Sequence, residues 1–330
     1  MSHSRKAFSL LELLLVIGVM FLLISIAVVA FSGVRASANR TASLNALRQM
    51  ATGFNSYATD HRGRFMPGYL AESELELLTI KTEMPNGTSI DFSDCVSGDC
   101  DASSWVWRLS PYVGNAWDTF YLDYSDKNLK EKLSQHLEGS LPIYGPATAS
   151  GTELPISEIP SFGMNSIFIG GDSAHGGGAI TDKNPWTPID ADQVLAATRL
   201  SEILNPSRVI LFGACMASPA SPYSSGSEYN EIFGSAELRA PFLQFDSVGM
   251  GIGDPQWEIV EATGGLIAEN GGNFDEGGGW PIDRWGGELV PVVHIDGSVV
   301  AEQRGRMAND GSLWSPKVIS PARQQDTDGG

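Results

Sequence analysis

A single carboxylate, Glu12, lies four places into an apolar run that extends from about Phe8 to Phe31. A lone acid in such a setting costs on the order of 2.5–3.5 kcal/mol on insertion scales. Neither a plain anchor nor an export signal has reason to carry that cost, so Glu12 calls for a partner that can itself sit within the membrane. Gly171-Asp172-Ser173-Ala174-His175 brings a hydroxyl, an imidazole and a carboxylate together. A nucleophile elbow, however, needs G-x-S-x-G between a strand and a helix, and here the surroundings are a Gly-rich loop. Solvated loop chemistry is the plainer reading, and no catalytic residue is assigned.

The remaining chemistry is sparse. Cys95 and Cys100 are close enough to close a small disulfide loop in an oxidising compartment, and Cys215 stands apart. Free thiols are the alternative. A structural zinc site wants about four ligands, and no further His or Cys lies near. Asp182, Asp190 and Asp192, and again Asp275, Glu276 and Asp283, offer the oxygen ligands calcium prefers, without EF-hand spacing. Solvated loop acids are the plainer reading. The Gly-rich run Gly264 to Gly287, with Trp280 and Trp285, can be read as a binding lip or as ordinary loop. No phosphate loop, metalloprotease motif or dinucleotide fingerprint occurs, so no cofactor is expected.

The elements that must position these residues begin with the apolar run. It is long enough to cross a bilayer as a helix, and Arg5 and Lys6 ahead of it favour a cytoplasmic N-terminus with the rest of the chain outside. Ala36-Ser37-Ala38 has the form of a secretory cleavage site, but the run before it far exceeds the usual 7–15 residues and leaves Glu12 unexplained.

Lys6-Ala7-Phe8-Ser9-Leu10-Leu11-Glu12 resembles the signal of type IV prepilins and type II secretion pseudopilins. The resemblance implies that a prepilin peptidase cuts between Ala7 and Phe8 and N-methylates Phe8. Ala7 stands where the family usually has Gly. Glu12 then becomes the fifth mature residue, paired with the freed amine of a neighbouring subunit. Methylation keeps that amine's charge, and in a low-dielectric bundle either charge alone is strongly disfavoured, which sets subunit register.

Beyond Ser32 no proline occurs until Pro67, and Leu44, Leu47, Met50, Phe54 and Tyr57 recur at helical spacing. The pattern predicts one helix from about Phe8 to near Asp60, roughly 80 Å at the standard rise. Its first half suits membrane or filament core, and its second half packs on a head. Gly18, Gly33 and Gly53 are weak points where it can bend. A helix lying on a membrane surface is the alternative for the second half.

In the head, Trp105 to Val113 reads as a short buried segment ending at Pro111, and Lys127 to Leu137 as a short helix. Ile167-Phe168-Ile169 and Val209 to Gly213 read as strands, and Leu289 to Val300 as a hairpin turning at Asp296-Gly297. Gly163-Met164-Asn165, Asn205-Pro206-Ser207 and Asp296-Gly297 appear in that order and resemble the heads of a large-headed bacterial branch of the pilin-like family. Ser298 stands where that branch usually has His. The stretches about 70–155 and 214–285 carry no such resemblance.

The expected fold is therefore α+β and pilin-like. Residues 1–7 form a leader, 8–31 a transmembrane half-helix, 32–62 an amphipathic half and 63–330 a β-rich, loop-rich head. The 37 glycines suit such a head, and 42% hydrophobic with 18% charged residues suits a folded chain. A net charge of -18 argues against nucleic acid, which requires a basic face. The resemblance implies a structural, non-enzymatic subunit of a type IV pilus or secretion pseudopilus, single-pass in the inner membrane with its head in the periplasm. Its partners would be a prepilin peptidase, other pilin or pseudopilin subunits, an assembly ATPase and a secretion or pilus platform. The alternative is a membrane-tethered extracytoplasmic binding protein, an adhesin or glycan binder, on a pilin-like stalk.

Overall fold

A computed structural model of the chain describes residues 10–70, 74, 81–83, 89–91, 104–121, 144–147, 153–155, 160–171, 196–216, 235–238, 240, 243–246, 249–252, 257–260, 265–268, 280–281 and 289–316. It divides into two units, Met1–Ala42 and Ser43–Gly330.

In the first unit the described chain is helical from Leu10 and belongs to helix α1 (Leu10–Asp60). Leucine, valine, isoleucine, methionine and phenylalanine fill every face of its first turns, and Leu10 to Ile26 is exposed. No described helix is long and apolar enough to cross a membrane. Described side chains stop at Ile26 and resume at Val34, so the span expected over 8–31 falls only partly within the described residues.

The second unit opens with the rest of α1, and here the side chains change character. Ser43, Ala46, Leu47, Met50, Ala51, Phe54, Tyr57 and Ala58 are buried, whereas Asn45, Arg48, Gln49, Thr52, Ser56 and Thr59 are exposed. Steps of three and four put the buried set on one stripe, as the sequence pattern predicts. Leu44 alone of the expected stripe is only half-buried, at its edge. Burying a Leu, Met or Phe contributes about 1.5–3 kcal/mol each, which holds this half of α1 in the core. Phe54 stands at the centre, its ring 5.3 Å from Phe65 and 6.0 Å from Phe212. Arg62 and Gly63 take positive φ of 58° and 78°, and Gly63 N–H donates to Ala58 O at 2.7 Å, a left-handed C-terminal stop.

The core sheet has five antiparallel strands: β5 (Phe162–Met164), β6 (Ile210–Met216), β11 (Trp280–Pro281), β12 (Leu289–His294) and β13 (Val299–Gln303). β6 is central and pairs with β5, β11 and β12, while β13 follows on β12. Two-stranded ladders join β1 (Lys81–Glu83) to β2 (Ser89–Asp91) and β3 (Tyr144–Ala147) to β4 (Glu153–Pro155). Two more join β7 (Leu243–Asp246) to β8 (Gly249–Ile252) and β9 (Trp257–Val260) to β10 (Gly265–Ala268). Helices α2 (Trp105–Leu109) and α3 (Arg304–Asn309) complete the described elements that frame the core. The chain is thus α+β.

Two segments differ from expectation. Trp105–Leu109 is helical, capped by Ser104, and Pro111 does not end it but opens the following 3-10 turn Ser110–Val113. Proline is accommodated at a helix start, where its missing N–H costs nothing. The strand expected at Ile167–Ile169 lies earlier, at Phe162–Met164, and Ser166 to Phe168 form a turn. Both stretches are apolar. Phe162–Met164 is the strand because it pairs with Phe212–Ala214 of β6, and at Gly163 the chain at Glu237 also packs so closely that an added Cβ would lie 2.5 Å from Glu237 C and O. The helix expected at Lys127 to Leu137 lies outside the described residues.

Candidate functional site

Glu12 sits in the first turn of α1 and is exposed. Among the described residues from Leu10 to Ile26 it is the only ionisable side chain, and its neighbours Leu11, Leu13, Leu15 and Val16 are 48–73% exposed. An exposed apolar surface of this extent on a helix marks a face meant for another apolar phase, lipid or protein.

The three head motifs meet around β6. Met164 pairs with Phe212, and Asn165 N–H donates to Leu211 O at 2.9 Å. The buried Asn165 Nδ2 donates to Ile210 O at 2.9 Å and to Trp314 O at 2.8 Å, tying β5, β6 and the C-terminal segment together. Both partners are carbonyl oxygens, so only the amide nitrogen can face them. Asn205 O accepts from Arg208 N–H at 3.0 Å, which shapes the turn that launches β6. Asp296 N–H then donates to Pro206 O at 3.2 Å, so the Asn-Pro-Ser turn and the Asp-Gly turn touch. Gly297 has φ 86°, the left-handed position such a hairpin needs.

That corner carries a charged cluster drawn from β12, β13, α3 and the turn before β6. His294, 4% exposed, faces Ser298 Oγ through Nδ1 at 3.2 Å and Glu302 Oε1 through Nε2 at 3.9 Å. Glu302 receives Arg306 Nη1 on both oxygens, at 3.1 and 3.0 Å. Arg306 Nε lies 3.7 Å from Asp310 Oδ2, and Asp310 accepts from Arg208 Nη2 at 2.8 Å. Burial pushes His294 below its ordinary value, and nearby Glu302 and Asp296 only partly oppose it. Burial pushes Asp310 upward, but Ser312 and Arg208 outweigh that and hold it low. The i,i+4 spacing of Glu302, Arg306 and Asp310 was the available signal, and it says nothing of His294 or Arg208 joining.

Of the residues singled out by sequence, Glu12 alone of the assembly set is described. Ala7, Phe8, Cys95, Cys100, Ser173, His175, Asp182, Asp190, Asp192, Asp275, Glu276, Asp283 and Trp285 lie outside the described residues. Cys215 is buried outside any disulfide, and its thiol donates to Ser235 O at 3.0 Å. Among the described residues no group of His, Cys, Asp or Glu is placed to hold a metal ion. No protein-family model, curated protein or solved structure matches this chain.

Proposed function

We propose that this chain is a structural subunit of a type IV pilus-like or secretion pseudopilus filament, trimmed by a prepilin peptidase before Phe8 and assembled through α1. The observation that carries the reading is the two-part character of α1. Its second half buries one stripe in the head, whereas Leu10 to Ile26 is apolar on every face and exposed, with Glu12 its one ionisable group. A helix apolar all round belongs in lipid or in a bundle of other helices. In the membrane it anchors the precursor; in a filament the same surface packs against copies of itself, so one element serves storage and assembly. Glu12 supplies order: a buried carboxylate is strongly disfavoured until a cation meets it, and the Phe8 amine released by cleavage is that cation.

Mass spectrometry of the protein from a host with the processing enzyme tests the first step. An N-methylated Phe8 start is expected, and retention of residues 1–7 refutes the reading. Glu12→Ala should be processed normally yet fail to enter filaments. Normal incorporation of that variant would refute the pairing mechanism while leaving the processing step intact.

A further inference from the structure

The terminal hairpin holds a titratable group that the filament reading does not use. Ser298 Oγ donates to Asp296 Oδ1 at 2.6 Å, and Ser298 N–H donates to the same oxygen at 2.9 Å. The hydroxyl hydrogen is thereby committed, so Ser298 Oγ accepts from His294 Nδ1–H at 3.2 Å. That fixes the tautomer, with Nε2 bare. Nε2 has no hydrogen-bond partner among the described residues, and the nearest acid oxygen is Glu302 Oε1 at 3.9 Å, beyond hydrogen-bond reach. A proton entering this ring therefore enters at Nε2.

The surroundings decide what that proton does. From β13 comes Glu302, from the turn Asp296, and from α3 Arg306, with Arg304 buried on the same helix. β6 opposes His294 with Ile210, which carries no charge. Arg208 and Asp310 form the next layer through Arg306. Among the described residues, the acid that faces Nε2 is Glu302, which already accepts from Arg306 on both oxygens. To reach hydrogen-bond length the ring or the carboxylate must move by about 1 Å. The ring sits at the end of β12 and the carboxylate in β13 just ahead of α3, so the movement strains that junction. Otherwise the charge stays buried without a hydrogen bond, which is costlier.

We infer that His294 is a proton-operated latch: neutral, it keeps the terminal hairpin and the segment through Trp314 closed on the sheet, and protonation at Nε2 loosens them. Trp314 makes the release consequential, since its carbonyl receives Asn165 and its indole N–H donates to Met307 O at 2.8 Å. Burial lowers the folded-state value below the ordinary 6.5, so the latch contributes fully above that value and is lost as pH falls through it. The inference is independent of the filament assignment.

Hydrogen exchange by mass spectrometry on the full chain in detergent micelles reads the latch directly, at about pH 7.5 and about pH 5 with intrinsic rates corrected. Peptides spanning 289–316 should lose protection several-fold in acid. About thirtyfold is the ceiling that linkage allows for one group ordinarily at 6.5. Peptides over Trp105–Leu109 should keep theirs. His294→Gln should abolish the difference between the two conditions. Unchanged wild-type protection, or a loss that persists in His294→Gln, overturns the inference. Should that variant fail to fold, imidazole C2-hydrogen exchange in the wild-type chain gives the midpoint of His294 itself. A midpoint below 6.5 supports the latch, and one at or above 6.5 overturns it.

Discussion

Replacing Asn165 should release the C-terminal segment from the sheet, and the size of the effect follows from two hydrogen bonds. Asn165 Nδ2 reaches Ile210 O at 2.9 Å and Trp314 O at 2.8 Å, and the residue is 1% exposed. Asn165→Ala removes both donors and leaves two carbonyls without them in a dry site. Each orphaned acceptor costs about 1–3 kcal/mol, so a combined loss of about 2–6 kcal/mol is expected. For an unfolding slope of about 2 kcal/mol per molar urea, that lowers the midpoint by about 1–3 M. Asn165→Asp keeps the shape but turns a carboxylate oxygen toward both carbonyls. It should be worse than alanine at neutral pH. The introduced acid would have a raised folded-state value, so it favours folding only while protonated. The variant should thus recover relative to the parent as pH falls toward about 4, and lose ground again above it. Urea titration of the full chain followed by tryptophan fluorescence measures all three proteins. An alanine variant within about 0.5 kcal/mol of the parent, at unchanged slope, would refute the claim that this amide holds the segment.

Other outcomes follow from the same packing. Phe54→Ala should cost about 3–5 kcal/mol in thermal or urea unfolding, because its ring fills the space between Phe65 and Phe212. Gly163→Ala should cost about 2–3 kcal/mol or more, since the new methyl meets the Glu237 backbone; a neutral result would show that the two segments separate freely. Arg208→Ala should change stability by well under about 1 kcal/mol in physiological salt, because its side chain is 47% exposed and solvent screens the Asp310 pair. Cys215, 0% exposed, should resist alkylation until denaturant is added, as read by intact mass.

Much of the fold was legible because its signals are local. The helix from Leu10 to Asp60 follows from an unbroken run without proline, and its buried stripe from three-and-four spacing. The Asp296-Gly297 hairpin follows from turn chemistry, since a left-handed position between two apolar runs selects glycine. Where the local signal was degenerate it misled. Phe162–Met164 and Ile167–Ile169 are both short and apolar, and periodicity does not separate a strand from a buried turn. Pro111 opens a 3-10 turn instead of ending the buried segment, since proline suits either side of a helix boundary.

What the sequence alone determined is one-dimensional: an acid placed in an apolar run, the period of a helix, the residues of a tight turn. Those properties depend on neighbours within a few positions, where backbone geometry is common to all chains. Tertiary structure alone decided that Asn165 reaches Trp314 and that His294 is buried between Ser298 and Glu302, with Arg208 closing the far end of the cluster. Long-range packing chose those partners. Burial then set their energetics, because a polar group in a dry site is governed by which few atoms it touches and not by its place along the chain.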